Sequence, residues 1–346
     1  MMDTLIFDGR ADKESLSCAA QILRRGGLVI FPTETVYGLG ADAYDARAAY
    51  NVFEAKGRPH DNPLIVHVAD PQDAEAFAET TELYYRLARA FMPGPLTLIL
   101  PKKPNIPDEV TAGGGTVGVR CPMHPVAREF ISLAGVPVAA PSANLSGRPS
   151  PTTAAHCIED MNGRVDAIID GGECRFGLES TVALLTGEDS LKILRPGAVT
   201  AEALSCVCSS VTTADGLAPG ETPLSPGMKY RHYAPRARLY LLDGERENVI
   251  KYIDTRLGQG EACAFICFDE DADRLSCYTV SLGGAGDEAE HAHRLFAALR
   301  LMDAYGESHT LDAIYTYMPD TGGAGLSAAI YNRLIRAADH TVIKVD

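Results

Sequence analysis

The chain has 346 residues, a formal net charge of −15 at pH 7 and a hydrophobic fraction of 46%. Its length exceeds that of one typical domain and therefore predicts two. The sequence is acidic on both sides of Arg236, which argues against a nucleic-acid surface as the main function, because such surfaces are normally basic. No apolar run reaches the length of a membrane span, and the charged start lacks the apolar segment of a signal peptide. We therefore expect a cytoplasmic protein with no membrane attachment.

The nine cysteines form no recognisable metal or disulfide motif. Their number is odd, and no CxxC occurs. Cys206 and Cys208 are too close for an ordinary zinc half-site, while Cys263 and Cys267 bracket a short apolar strand. The sequence therefore predicts scattered, reduced thiols.

The periodicity of apolar residues predicts alternating helices and strands over the first two thirds of the chain. In chain order these are a helix at 11–26, a strand at 28–31, a helix at 46–55, a strand at 64–68, a helix at 71–92, a strand at 96–100, a loop at 101–116, a strand at 117–121, a helix at 125–134, a strand at 136–140, a helix at 152–161, a strand at 165–170, two strands at 178–185 and 191–194, and a helix at 199–206. Because some links between strands are short, we predict a twisted mixed sheet.

Composition changes after this region. Residues 215–236 hold four prolines and three glycines and predict a linker, but they also contain Lys229, Tyr230, Arg231, His232 and Tyr233, which favours a functional segment over a passive tether. From Ala237 the strand–helix alternation restarts and predicts a smaller Rossmann-like domain. The predicted domains are therefore 1–210, a linker or lid at 211–236, and 237–346.

The stretch 28–67 carries the first candidate site. A buried strand ends at Pro32 and is followed by hydroxyl residues. A helix then stops at Lys56-Gly57-Arg58-Pro59, and the next strand ends at His67. Ligands of open α/β sheets bind at strand ends, and two cations beside hydroxyls suit an anion such as phosphate. A Lys-x-Arg pair by itself is more often a solvated surface, and a lone histidine is more often structural.

Three further candidates follow other strands. Ser142, Asn144 and Ser146 could hold phosphate or ribose oxygens, or could cap their own turn. Arg120 and Arg195 end strands, where each could clamp a carboxylate or form a surface ion pair.

Several other patterns carry little weight. Gly113 to Gly115 is not followed by the GK[ST] of a phosphate-binding loop, and Gly322 to Gly325 lacks the full dinucleotide fingerprint. His291 and His293 have no third metal ligand at an obvious spacing. No GxSxG motif supports a hydrolase triad.

Nine motifs in order closely resemble those of the Sua5/YrdC/YwlC family of threonylcarbamoyl-AMP synthases. They are PTETVYGLG at 32–40, KGRP at 56–59, NPL at 62–64, PGPLT at 93–97, VGVRCP at 117–122, PSANLSG at 141–147, PSPTTA at 149–154, ESTV at 179–182 and LRPG at 194–197. The linker, with SPGMKYRHYAP, and the C-terminal α/β domain resemble the longer Sua5 form. The implied architecture is a YrdC-like twisted mixed sheet with helices, a linker and a smaller Rossmann-like domain.

The resemblance implies a nucleotidyltransferase. L-threonine, bicarbonate or CO2, and ATP would give L-threonylcarbamoyladenylate and pyrophosphate. A separate transferase complex would use this product to form N6-threonylcarbamoyladenosine (t6A) at position 37 of tRNA. Mg²⁺ would be held mainly by the ATP phosphates, without a dedicated protein site.

The resemblance also implies residue roles at the matching positions. Lys56 and Arg58 would be catalytic. The implied ATP-binding residues are Lys56, Arg58, Asn62, Thr116, Ser142, Asn144, Ser150, Arg195 and Tyr233. The implied threonine-binding residues are Thr35, His67, Arg120, Ala140 and Ser180. A linker tyrosine, Tyr230 or Tyr233, would close over the site.

Three other interpretations remain open on the residues alone. The first is a double-stranded-RNA or tRNA-binding module, which the acidic charge opposes, so any direct tRNA contact is expected to be weak. The second is a carbamoyl-adenylate enzyme of the hydrogenase-maturation type, whose acylphosphatase and zinc-finger segments the sequence lacks. The third makes 237–346 a regulatory or assembly module, which is compatible with the main prediction.

Overall fold

The computed structural model describes residues 3–9, 13–214, 224, 233–320 and 325–346. It divides into two compact units, one of Met1–Ser146 with Ser150–Tyr230 and one of Gly147–Pro149 with Arg231–Asp346. The domain boundaries expected from the sequence stay predictions, and Lys229 to His232 lie outside the described residues. Within the described ranges, no helix is both long and apolar enough to cross a membrane.

The first unit contains seven helices and eleven strands among its described residues. The helices are α1 (Lys13–Arg24), α2 (Ala46–Lys56), α3 (Glu82–Phe91), α4 (Asp108–Thr111), α5 (Pro125–Ala134), α6 (Ala154–Met161) and α7 (Ala201–Ser205). The strands are β1 (Leu5–Asp8), β2 (Val29–Phe31), β3 (Gly38–Asp42), β4 (Ile65–His67), β5 (Leu96–Pro101), β6 (Thr116–Arg120), β7 (Val138–Ala140), β8 (Ala167–Asp170), β9 (Thr181–Leu185), β10 (Ser190–Arg195) and β11 (Ser210–Thr213).

These strands form one mixed sheet in the order β1-β8-β2-β3-β7-β4-β6-β5-β9-β10-β11. Parallel pairs such as β4–β6 alternate with antiparallel pairs such as β3–β7 and β5–β6. Side chains on both faces are buried. The larger apolar cluster packs on one face, and a smaller cluster on the other joins β2, β7 and β8 to α1 and α5. The predicted twisted mixed sheet is thus confirmed.

The predicted helix at 71–92 is wrong in its first half. Pro71–Ala76 forms a short 3₁₀ helix, and the chain then extends so that Ala78 bridges to Lys102. The α-helix begins only after Thr81, whose side chain accepts a hydrogen bond from the backbone N–H of Tyr84. Threonine is a favourable residue for capping the start of a helix, so Thr81 begins a new helix here although it lies within a helical pattern of apolar residues. The predicted loop at 101–116 likewise contains the single turn α4.

Three strands of this sheet were not predicted: β1, β3 and β11. β3 reads Gly-Leu-Gly-Ala-Asp, a composition with low strand propensity. Its glycines are required by packing, because a Cβ on Gly40 would lie 3.0 Å from the Phe31 ring and 2.7 Å from Val138. The ring of Phe31 thereby crosses β3 and meets the ring of His67 edge-on, with centroids 5.5 Å apart.

The second unit is a parallel five-stranded sheet with three helices among its described residues. The strands are β12 (Arg238–Asp243), β13 (Cys263–Cys267), β14 (Tyr278–Ser281), β15 (Ala313–Tyr317) and β16 (Val342–Lys344), and the helices are α8 (Arg246–Gly258), α9 (Glu288–Ser308) and α10 (Ser327–Ala337). The order β14-β13-β15-β12-β16 and the parallel pairing confirm the Rossmann-like prediction.

Candidate active site

One face of the large sheet changes from apolar to polar along its width. Over β2 and β7 this face carries Phe31, Val138 and Ala140, which pack beneath α1 and α5. Over β4 and β6 the same alternation of side chains places His67 and Arg120 on this face, paired across the two strands. The buried polar side chains of His67 and Arg120 therefore lie beside the part of the face that α1 and α5 cover.

A second row of predicted residues lies further along the same strands. Ala140 and Gly118 pair with Ile65 from opposite sides, and Ser142 and Thr116 each lie two residues beyond these partners. Thr116 and Arg120 are four residues apart on β6, which is roughly 13 Å of extended chain. The face thus has two ends, one near Arg120 and one near Ser142 and Thr116, at a separation that suits an amino acid beside a nucleotide.

Lys56 is fixed at the end of α2 near Ser142. Gly57 ends the helix in the left-handed region at φ 61°, and the buried Lys56 ammonium then donates to the backbone oxygen of Ser142 at 2.6 Å and to that of Asn144. The Ser142 hydroxyl donates to the Asn144 side chain at 2.6 Å. These bonds bring the Lys56 ammonium beside the Ser142 hydroxyl and the Asn144 amide, although Lys56 is 86 and 88 positions from these residues in the sequence.

Arg58 and Asn62 follow α2 and contact each other. The Arg58 guanidinium donates to the backbone oxygens of Asn62 and Pro63 at 3.3 Å each. Asn62 is 1% exposed, yet neither its side-chain oxygen nor its nitrogen has a hydrogen-bond partner among the residues that the structure describes. A buried amide with both polar atoms unsatisfied costs free energy unless a ligand supplies partners.

Arg120 is a buried cation whose side-chain nitrogens differ in their contacts. Its Nη2 donates to Glu34 at 2.7 Å and to the Thr35 hydroxyl at 2.8 Å, while the second oxygen of Glu34 accepts from the backbone N–H of Met123 at 2.9 Å. The Arg120 Nε, by contrast, is buried without a partner among the described residues. Glu34 therefore compensates and orients the guanidinium, and Nε remains to donate to a ligand.

His67 is a neutral hydrogen-bond acceptor at this end of the face. Its Nδ1 lies 3.0 Å from the oxygen of Ile65 and 3.3 Å from that of Val138, and because carbonyl oxygens only accept, Nδ1 carries the hydrogen. Burial, with the nearby Arg120 charge, lowers the pKa of His67 to about 3. The neutral ring therefore keeps a lone pair on Nε2 throughout the physiological pH range.

This depressed pKa predicts a specific acid sensitivity. The unfolded chain binds a proton at the ordinary pKa of 6.5, whereas the folded chain does so only near 3. The stability contributed by the neutral ring is complete above pH 6.5 and is lost as the pH falls towards 3. Between pH 7 and pH 5 we expect the free energy of unfolding to fall by about 2 kcal/mol from this group.

Urea unfolding of the wild type and of His67→Gln at pH 7 and pH 5 measures this difference. The variant lacks the imidazole and should show a correspondingly smaller loss of stability. Equal losses in the two proteins would contradict a neutral, buried His67.

Ser180 is held by Thr97 and Arg195. The hydroxyls of Thr97 and Ser180 are 2.8 Å apart, and Arg195 donates to the backbone oxygen of Ser180 at 3.1 Å and to its hydroxyl at 3.2 Å. The preceding residue, Glu179, accepts a hydrogen bond of 2.6 Å from the hydroxyl of Ser150. Three segments of the first unit are therefore joined around the start of β9.

Most predicted site residues lie in the first unit, where these contacts hold them in small groups. Two of the groups are linked through Tyr37, because its backbone N–H donates to Pro151, beside Ser150, and its backbone oxygen accepts from Ala143, beside Ser142. Tyr233 belongs to the second unit, where its ring packs on Phe296 at 5.0 Å. Tyr230 lies outside the described residues. The individual roles assigned by resemblance stay predictions.

The sequence analysis did not single out Glu34, Thr97 or Glu179. Each contacts a predicted residue from a distant part of the chain. Thr97 had one local signal, since it is the polar residue in the apolar strand LTLIL. Glu34 and Glu179 had none, because nothing local distinguishes a buried carboxylate from an exposed one.

Two family models match the chain. The model for Sua5, YciO and YrdC, described as "Telomere recombination", matches residues 21–197, and the model described as "Threonylcarbamoyl-AMP synthase, C-terminal domain" matches residues 199–339. Together they cover both units.

Curated relatives match over nearly the whole chain. The threonylcarbamoyl-AMP synthase of Pyrococcus abyssi is 43% identical over 97% of this chain and 97% of its own length, and that of Bacillus subtilis is 44% identical over 94% and 93%. Among solved structures, P. abyssi Sua5 complexed with L-threonine superposes with a TM-score of 0.90 at 40% identity, covering 99% of both chains. The resemblance inferred from nine motifs is confirmed at the level of the whole chain.

Proposed function

The chain belongs to the Sua5/YciO/YrdC family of threonylcarbamoyl-AMP synthases, and from that premise we propose that it makes L-threonylcarbamoyladenylate and pyrophosphate from L-threonine, bicarbonate or CO2, and ATP. It is a nucleotidyltransferase of tRNA modification, and its product is the activated group for N6-threonylcarbamoyladenosine. One observation supports the proposal most: in the part of the chain that the structure describes, the buried Nε of Arg120 and the buried side-chain amide of Asn62 have no hydrogen-bond partners.

The end of this face near Arg120 suits an amino acid. The Nε of Arg120 would donate to the threonine carboxylate, with the guanidinium held by Glu34 and Thr35. Ser180 would add a hydroxyl, and the backbone of Ala140 would line the same pocket.

His67 would bind rather than catalyse here. Its Nε2 can accept a hydrogen bond from the substrate amine or hydroxyl. A pKa near 3 makes the ring too weak a base to take a proton from an ammonium group. The amine proton lost during carbamate formation must therefore leave to another acceptor, such as bicarbonate or water.

The other end suits the triphosphate. Lys56 and Arg58 would oppose negative charge on the phosphate oxygens, with Asn62, Thr116, Ser142, Asn144, Ser150 and Arg195 as further ATP contacts. Among the described residues no group of three His, Cys, Asp or Glu side chains is placed to hold a metal. The buried carboxylates Glu34 and Glu179 are bonded to Arg120 and Ser150. As the resemblance implies, Mg²⁺ would enter with ATP and neutralise phosphate charge.

The chemistry needs no protein nucleophile. The threonine amine is first carboxylated, and a carbamate oxygen then attacks the α-phosphorus while pyrophosphate leaves. Such a reaction is accelerated by positioning and by charge stabilisation of the transferring group. A linker tyrosine closing over the site would exclude water from the labile carbamate. The product would pass to a separate transferase complex, and direct contact with tRNA is expected to be weak.

The decisive experiment is direct detection of the product. Purified protein is incubated with MgATP, L-threonine and bicarbonate, and the mixed anhydride is identified by mass spectrometry alongside pyrophosphate release. L-serine in place of L-threonine is the control for substrate choice, and omission of bicarbonate tests the carbon source. Pyrophosphate release that does not depend on threonine would contradict the proposal.

A further inference from the structure

Two free thiols of the second unit lie opposite each other on neighbouring strands. Cys263 is the first residue of β13, and Cys277 immediately precedes β14. The strands are parallel, with Ala264 opposite Tyr278 and Cys267 opposite Ser281. One step earlier in this register, Cys263 is opposite Cys277. Register partners on adjacent strands present their side chains on the same face of the sheet.

This placement suits a covalent bond between the sulfurs. Neighbouring strands lie about 4.8 Å apart, and disulfides form where the two Cα atoms are about 4.4–6.8 Å apart. The neighbouring thiols affect each other's titration: the pKa of Cys263 is raised and the pKa of Cys277 is lowered. The Cys277 thiol therefore loses its proton more readily than the Cys263 thiol.

Cys277 is more exposed to solvent than Cys263. Cys277 is partly exposed, whereas Cys263 is 6% exposed. A reagent in solution would reach Cys277 first, and Cys263 is positioned to react second. Cys267, on the same strand, is fully buried and faces a serine in the register, so it provides an internal comparison.

We propose that Cys263 and Cys277 form a reversible disulfide by exchange with a low-molecular-weight disulfide such as glutathione disulfide. The Cys277 thiolate attacks one sulfur of the reagent, forms a mixed disulfide and releases one thiol. Cys263 then loses its proton, attacks the Cys277 sulfur and releases the second thiol. Two protein S–H groups and one reagent disulfide become one protein disulfide and two free thiols, so atoms and electrons balance.

The bond would act on an edge strand. β14 is paired on one side, to β13, and its residues are half-buried. A disulfide would close residues 264–276 into a loop and fasten β14 to the sheet. This loop contains the buried Asp271, which accepts hydrogen bonds from Arg246 and Tyr317. The oxidised protein should therefore unfold at a temperature several degrees higher than the reduced protein.

The test uses the full-length reduced protein treated with glutathione disulfide under native conditions. Remaining thiols are blocked with N-ethylmaleimide, and the protein is digested without reductant. We expect a peptide pair linking Cys263 to Cys277, with a mass two hydrogens below the sum of the two free peptides, and reversal of the link by dithiothreitol. Cys277→Ser should abolish the link, whereas Cys206→Ser, at an exposed cysteine of the first unit, should leave it unchanged.

Two results would overturn the proposal. One is a stable glutathione adduct on Cys277 with Cys263 still free. The other is complete alkylation of both cysteines while Cys206 or Cys18 has reacted with glutathione. Because the wild type carries the main measurement, failure of a variant to fold would not affect the conclusion. Disulfide formation is measured without adenylate synthesis, so its result does not depend on whether the proposed activity is correct.

Discussion

Lys56→Ala is expected to lower threonine-dependent pyrophosphate release strongly while the protein stays folded. The ammonium group is held between the backbone oxygens of Ser142 and Asn144, where it would face the growing charge on the phosphate oxygens. Removing one preorganised charge of this kind lowers kcat by about 10²–10³-fold. Arg58→Ala should have the same effect, because it also removes a positive charge that would oppose the charge on the phosphate oxygens.

Steady-state pyrophosphate release with ATP and L-threonine gives the rate, and circular dichroism reports the fold. Lys192→Ala is the matched control, because Lys192 is an exposed lysine of β10 and should retain full activity. Normal pyrophosphate release from folded Lys56→Ala or Arg58→Ala would remove the basis for the assigned catalytic roles.

Arg120→Ala is expected to have two separable effects, one on threonine binding and one on stability. Loss of a buried guanidinium that binds the substrate carboxylate should lower kcat/KM for L-threonine by about 10²–10³-fold, with most of the change in KM. The variant also leaves Glu34 buried without its cation, at a cost of about 3–5 kcal/mol in the free energy of unfolding. Arg120→Lys should retain more stability than Arg120→Ala but still bind threonine poorly, because lysine lacks the planar fork.

The double variant Arg120→Met with Glu34→Gln separates these effects. Removing both charges should restore most of the stability, as measured by urea unfolding, without restoring threonine binding. Arg128→Ala, at an exposed arginine of α5, should change neither property. If KM for threonine were unchanged in folded Arg120→Ala, Arg120 would not be the carboxylate ligand.

Local sequence patterns were sufficient to predict many of the helices and strands. The helix at 125–134 was predicted to its observed bounds, because Pro125 can begin a helix and Gly135 ends it in the left-handed region. Nine motifs in order were enough to identify the family. The predicted helix at 71–92 failed because a capping threonine and a bridge to a distant residue interrupt an otherwise helical pattern.

The sequence by itself determined several helix ends, the buried runs and the residue types available for an anionic ligand, since propensity, periodicity and capping act over a few residues. Only the tertiary structure decided which of these residues meet. Glu34 contacts Arg120 across 86 positions, and Thr97 contacts Ser180 across 83. β3 can lie against the Phe31 ring because Gly38 and Gly40 have no Cβ there. Such contacts depend on strand order and register, and neither is encoded within any short window of the chain.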